Sequence, residues 1–267
     1  MSITAMLNHG TFHTKLLDYS SLTTSVWISE SVFETFEGWI SYIMFVHCGI
    51  ISKKFQPLRL CVSQLIRNLS MNKPILYGDE ASPPVRFVMM TASILNVPLE
   101  FRKIDLFRSE HKTNFYTKIN PLQKVPALTT GTSIICDSHA IALYLCGKYN
   151  DRYLYPKDVD LKFKIDEMLF YNSGTLFPID SSIYAAFMSG QRPIDGSLVE
   201  KWNSALDHLE RRLTQHKWLS GDEMRLCDLC CAATISSVYV LISPLDRHAK
   251  IKIWLKNLEI IPSFDIN

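Results

Sequence analysis

The chain has 267 residues, 47% of them hydrophobic and 20% charged, and a formal net charge of +2 from 28 basic and 26 acidic side chains. That balance fits a globular protein of one large or two small domains, and it excludes the basic excess that nucleic acid or an anionic membrane surface would select. Seven cysteines are an odd number in a chain too long to rely on disulfide staples, so reduced, intracellular thiols are expected.

Residues 1–72 mix Ser, Thr and His with scattered aromatics and show no sustained helical or strand period. Their most apolar run, Trp39 to Ile51, is broken by Ser41, His47 and Gly49. It falls short of the roughly 20 apolar residues a bilayer span needs. It also lies too far from Met1, with too little basic charge before it, for a signal peptide. Met71 stands just before the first clear strand, so this stretch reads as an unstructured or spurious extension rather than a membrane-associated leader.

From Lys73 the pattern becomes regular. Ile75-Leu76-Tyr77 is a short apolar strand and Gly78-Asp79-Glu80-Ala81 a polar loop. Ser82 before Pro83-Pro84 reads as a helix N-cap, because the N–H that proline lacks has no partner in a first turn. The apolar run Val85, Phe87, Val88, Met89, Ala92 and Leu95 continues that helix. Leu99 to Leu106 alternates like a strand, and Asn114 to Ile119 makes a short helix stopped by Asn120-Pro121. Val125 to Leu128 and Ser133 to Cys136 form a hairpin around Thr130-Gly131-Thr132, and Asp137-Ser138 caps a helix running to about Tyr149. The order βαβα, hairpin, α implies a mixed sheet with helices on its faces. Beyond Asp151 strand signals vanish. A linker at Tyr153 to Lys157 leads to long helical patterns at about 160–189, 197–217, 225–242 and 249–258. Cys227, Cys230 and Cys231 fall inside one of them. As a zinc site they lack a second ligand pair, so no metal is expected.

These residues, in this order, resemble the cytosolic glutathione transferases, and among them the insect epsilon class. Leu76-Tyr77 with Ser82-Pro83-Pro84 is similar to the epsilon opening. Glu110-His111, Ile119-Asn120-Pro121 and Val125-Pro126-Ala127-Leu128 are similar to the glutathione-binding stretch, and Asp137-Ser138-His139-Ala140-Ile141 to the motif that holds the γ-glutamyl end. Leu219 to Asp222 leading to Leu226-Cys227-Asp228-Leu229 resembles the start of the buried helix of the second domain. Tyr77, Asp79 and Glu80 with Ser82-Pro83-Pro84-Val85-Arg86, and Phe177 to Ser181, resemble the Noppera-bo branch linked to ecdysteroid biosynthesis.

The resemblance implies an α/β thioredoxin-like domain at 73–150 and an all-α domain at 157–267, in a cytoplasmic homodimer that detoxifies apolar electrophiles or serves steroid synthesis. Ser82 would activate the glutathione thiol; Tyr77 is its rival. Val125 and a cis Pro126 would pair with the cysteinyl backbone, and Asp137, Ser138 and His139 would serve the γ-glutamyl end. His111 and Gln123 would face the glycine carboxylate, although epsilon enzymes often carry histidine where this chain has Gln123. Phe177 and Asp180 would border the hydrophobic substrate, with Asp180 either facing water or accepting a ligand hydroxyl. Asp228 resembles the family's helix-capping aspartate, but Arg225 replaces its usual Ser/Thr partner, implying a looser cap. The chain stops where family members continue over the cleft, implying a more open substrate site. A catalytically weak carrier of a steroid or other apolar ligand is the alternative. A thioredoxin-type oxidoreductase is excluded, since no cysteine occupies the first helical turn.

Overall fold

The computed structural model describes residues 6–8, 11–13, 73–149, 151, 153–261, 264 and 267. In the N-terminal unit it describes one antiparallel hairpin, β1 (Met6–Asn8) with β2 (Thr11–His13). The remainder of the expected extension, including the Trp39 to Ile51 run, lies outside the described residues.

The second unit, Leu69–Asn267, begins with the α/β domain. Its elements are β3 (Ile75–Gly78), α1 (Pro83–Ile94), β4 (Glu100–Lys103), a 3₁₀ turn (Glu110–Lys112), α2 (Asn114–Ile119), β5 (Ala127–Thr130), β6 (Ser133–Cys136) and α3 (Ser138–Lys148). The sheet order is β4-β3-β5-β6, with β3 and β4 parallel and the other pairs antiparallel. This is the thioredoxin-like arrangement expected. One face of the sheet packs Leu76, Leu128 and Val88 with Ile141 and Leu145 of α3. The other packs Tyr77, Ile104 and Ala127 with Tyr116 of α2.

The expected strand over Leu99 to Leu106 stops at Lys103. Beyond it side chains take over the backbone: the Asp105 N–H donates to Glu110 Oε2 (2.8 Å) and the Leu106 N–H to Asp79 Oδ2 (3.0 Å). Satisfied that way, those amides need no ladder partner.

The helical domain comprises α4 (Val159–Tyr171), a π turn (Asn172–Leu176), α5 (Phe177–Met188), α6 (Gly196–Gln215), α7 (Leu226–Tyr239), a 3₁₀ turn (Asp246–His248) and α8 (Ala249–Glu259). The helix read at 160–189 is therefore interrupted. Pro178 has no N–H to return to the preceding turn, and the Phe177 N–H reaches back to the Asn172 carbonyl. The Asn172 side chain is itself held by the Thr234 hydroxyl of α7 at 2.9 Å. Among the described residues no helix is long and apolar enough to cross a membrane.

Helix α7 is buried along its length and carries Cys227, Cys230 and Cys231 as free thiols. It packs on α1, and one apolar core runs from Phe87 and Met90 through Ala142 to Trp202, Leu229 and Trp254. Asp228 starts α7, fully buried, and corrects the expectation of a loose cap. Its Oδ2 accepts from the Arg225 N–H (2.8 Å), and its Oδ1 accepts from the Leu219 N–H (2.9 Å) and from Trp254 Nε1 (2.9 Å). Burial pushes this carboxyl up to about 6, and the three donors work against that. Arg225 does not cap; it donates to Glu223 and to the Tyr153 carbonyl, tying the linker to α7.

Gly78 ends β3 where the chain turns toward α1. A Cβ there would lie 2.7 Å from both γ-carbons of Val85, closer than packed carbons tolerate. Gly78→Ala should cost about 1–3 kcal/mol in a denaturation midpoint experiment. Adding Val85→Ala should recover part of that loss, a non-additivity that two unrelated lesions would lack.

Candidate functional site

Chain direction gathers the site. Tyr77 of β3 pairs with Ala127 of β5, which pairs with Cys136 of β6. The end of β3, the start of β5 and the end of β6 therefore share one edge of the sheet, and parallel β4 ends there too. Ser82, Val125, Pro126, Asp137, Ser138 and His111 all follow or precede those ends by a few residues. In open α/β sheets ligands bind outside the carboxyl ends of strands, here those of β3, β4 and β6.

Ser82 is buried at the N-cap of α1, with extended backbone and no side-chain cap. The reason lies in its neighbours. A capping serine accepts from the amide two or three residues on. Pro84 has no N–H, and the Val85 N–H is directed to the Ser82 carbonyl (3.0 Å). Among the described residues the Ser82 hydroxyl has no hydrogen-bond partner, and it stands at the positive end of a helix dipole. The loop before it is fixed by buried Asp79, whose Oδ1 accepts from the Ala81 N–H (3.1 Å) while its Oδ2 holds Leu106. Tyr77 is engaged elsewhere: it packs on the α2 face of the sheet, and its hydroxyl accepts from Arg102 Nη1 at 3.3 Å.

The Val125–Pro126 bond is cis. The loop leading to it is braced at one atom, the Lys124 carbonyl, which accepts from Asn120 Nδ2 (2.6 Å) and the Tyr116 hydroxyl (2.7 Å). Gln123 is exposed, adopts φ 55°, and donates to Thr117 Oγ1 at 3.2 Å. His111 lies in the 3₁₀ turn, where its buried Nδ1 has no partner among the described residues. An unpaired buried nitrogen is costly unless something else bonds to it.

Asp137 caps α3 with φ 117°, a conformation that costs a non-glycine residue energy and recurs at ligand sites. Its Oδ1 accepts from the His139 and Ala140 N–H groups, at 2.9 and 3.0 Å, and among the described residues nothing hydrogen-bonds to Oδ2. The Ser138 N–H, at the first helical position, has no acceptor within the helix. His139 turns inward. Its Nε2 lies 3.3 Å from Cys230 Sγ of α7 and its ring meets Phe87 edge-on. Burial pushes the imidazole down and the thiol well up, favouring the neutral form of each, and either group can be the donor in this contact.

This chain belongs to the glutathione S-transferase family. The family model for the glutathione S-transferase N-terminal domain matches residues 76–153. Glutathione S-transferase 1 of Manduca sexta is 36% identical over 186 residues, covering 68% of this chain and 85% of the relative. An epsilon-class glutathione S-transferase from the housefly, Musca domestica, superposes with a TM-score of 0.70 at 32% identity, over 73% of this chain and 92% of that one. A glutathione transferase homologue from Drosophila mojavensis, solved with bound glutathione, gives 0.70 at 31% identity over 73% and 91% of the two chains. The transferase is by family an enzyme that handles glutathione.

In the helical domain Phe177 is half-buried at the start of α5, and Asp180 is 3% exposed, which corrects the reading that it faces water. Its Oδ1 accepts from the Ser237 hydroxyl of α7 at 2.5 Å; the Ser237 carbonyl accepts from Tyr184 (3.2 Å). Burial pushes the Asp180 carboxyl up to about 6, with Ser237 and then the Arg86 charge opposing. Sequence reasoning gave no role to Asp79, Arg86 or Ser237. Only Arg86 carries a local signal, a cation in the first turns of a helix, where the dipole disfavours it.

The Asp180 carboxyl has a pH signature. Its folded-state value lies above the unfolded one, so it favours folding most below about 4. That contribution is lost as pH rises toward about 6. Asp180→Asn has no such loss. Its stability relative to the parent should therefore improve between pH 4 and pH 7, by up to about 3 kcal/mol, in thermal denaturation at the two pH values.

Proposed function

We propose that this protein is a cytoplasmic glutathione transferase in which Ser82 activates the glutathione thiol for attack on a hydrophobic electrophile. The observation that carries the reading is the unspent Ser82 hydroxyl at the N-terminus of α1. A free thiol near pKa 8.5 is mostly protonated at neutral pH. A hydroxyl donor beside the sulfur and the helix dipole both favour the thiolate, whose proton leaves to solvent. A hydrogen bond to a charged group contributes about 1.5–3 kcal/mol, enough to lower the thiol by about one to two pH units.

The remaining residues serve binding. Val125 would pair its backbone with the cysteinyl unit as an added strand does. The Oδ2 of Asp137 suits the γ-glutamyl ammonium, and the Ser138 N–H its carboxylate. The unpartnered His111 Nδ1 and the Gln123 amide suit the glycine carboxylate. His139 contributes by seating this corner on α7. Residues 73–267 form the catalytic unit, and 1–72 are an extension to it. On α4, Val159, Phe163 and Phe170 are 74%, 54% and 74% exposed along one face, which favours a second copy of the chain as partner.

Ser82→Ala should lower kcat for conjugation of chlorodinitrobenzene about ten- to a hundredfold. The thiolate absorbance of bound glutathione should move up by about one pH unit or more. An unchanged titration would pass the role to Tyr77 or a backbone amide.

A second reading, a weakly catalytic glutathione-dependent carrier of a hydroxylated apolar ligand such as a steroid, is favoured by Asp180. A buried carboxylate with one oxygen unbonded among the described residues is costly unless a ligand donates to it. The same contact would supply the ecdysteroid link of the Noppera-bo branch. Asp180→Asn should weaken a hydroxysteroid about ten- to a hundredfold while glutathione affinity holds. Equal steroid affinity would return the chain to a general detoxifying role.

A further inference from the structure

A cation is misplaced in the first turns of a helix, where the backbone N–H groups already carry partial positive charge. Arg86 nevertheless sits one turn after Ser82 in α1, with its N–H donating to the Ser82 carbonyl (3.1 Å) and its side chain buried. Residues four apart share a helix face, so the guanidinium extends from the same side as the serine.

Its donors are spent in an unusual way. Nη1 donates to the carbonyls of Glu80 (3.0 Å) and Ala81 (3.1 Å), the two residues immediately before Ser82. Nη2 donates to the Ala233 carbonyl of α7 (3.1 Å), and Nε to Asn267 Oδ1 (3.0 Å), which also accepts from the Ser236 hydroxyl (2.9 Å). Among the described residues no carboxylate hydrogen-bonds to it. Burial pushes the guanidinium down, while Tyr184 and then Asp180 hold it up through space. A buried cation held by neutral carbonyls is an expensive arrangement. A planar fork reaches two successive loop carbonyls and a second helix at once, which the point charge of lysine does not.

We infer that Arg86 is a positioning residue for thiol activation, clamping the Glu80 and Ala81 carbonyls so that the Ser82 hydroxyl stays aimed at the glutathione sulfur. The anchor of the clamp is α7, so the helical domain sets the position of a side chain in the thioredoxin-like domain. The inference rests on the reading of Ser82 as the thiol activator. It adds that the loop, left with only the Asp79 contacts, does not hold that hydroxyl in place.

The test uses the full chain carrying Arg86→Lys, alone and combined with Ser82→Ala, with thermal denaturation to confirm folding. Arg86→Lys should lower kcat about tenfold and raise the bound-thiol titration by about one pH unit, with KM for glutathione changed less than about twofold. In the Ser82→Ala background the same substitution should change kcat by less than about twofold, because the group it positions is gone. Asn267→Ala removes the Nε acceptor from a half-buried site, together with the Ser236 contact, and Ser236 keeps the Ala233 carbonyl at 3.1 Å. This substitution should move the thiol titration the same way by a smaller amount, and it decides the matter if Arg86→Lys does not fold. An unmoved titration in the folded variants overturns the inference, as does a second full tenfold loss on top of Ser82→Ala. If Ser82→Ala itself leaves the titration unchanged, the Ser82 reading fails, and this inference with it.

Discussion

The serine that begins α1, followed by two prolines, does not spend its hydroxyl on that helix. Pro84 offers no amide, and the Val85 N–H is satisfied by the Ser82 carbonyl, so the side chain is left over at the positive end of α1. Most of what surrounds the site follows from keeping that hydroxyl in one place. Gly78 lets the end of β3 lie against Val85, and Asp79 ties the loop to the segment after β4. Shared strand ends bring the braced Val125–Pro126 loop and the strained Asp137 to the same edge of the sheet.

The helical domain joins this edge through polar groups set in an apolar core. Arg86 and His139 of the first domain meet Ala233 and Cys230 of α7, and Asp228 locks the start of that helix with three donors. Each buried polar group is costly alone, and each is bonded across a junction, so loosening α7 would expose several at once. That makes α7 the shared wall of the two domains. The Ser237 hydroxyl of α7 donates to Asp180 of α5, which ties that buried carboxyl to the helix that anchors Arg86.

Much of this is legible in the sequence because it is local. Ser82-Pro83-Pro84 marks a helix start, Asp137-Ser138 another, and the short strands at Ile75, Ala127 and Ser133 stand out by apolar run and flanking turns. What is not legible depends on distant partners. The strand beyond Lys103 is cut short by carboxylates of Asp79 and Glu110, and nothing in its alternation says so. The π turn at Asn172 needs Thr234, and the burial of Asp180 needs Ser237, 62 and 57 residues away. Arg86 bonds to Ala233, 147 residues on. The cap at Asp228 looks weak in sequence because Arg225 stands in place of the usual Ser/Thr partner, and Trp254, which helps complete it, lies outside the motif.

A crystal structure of the chain with glutathione bound tests the central claim most directly. The account predicts the glutathione sulfur within about 3.5 Å of Ser82 Oγ, with the Arg86 guanidinium still on the Glu80 and Ala81 carbonyls. A sulfur placed against the Tyr77 hydroxyl, with Ser82 turned away from it, would contradict the account.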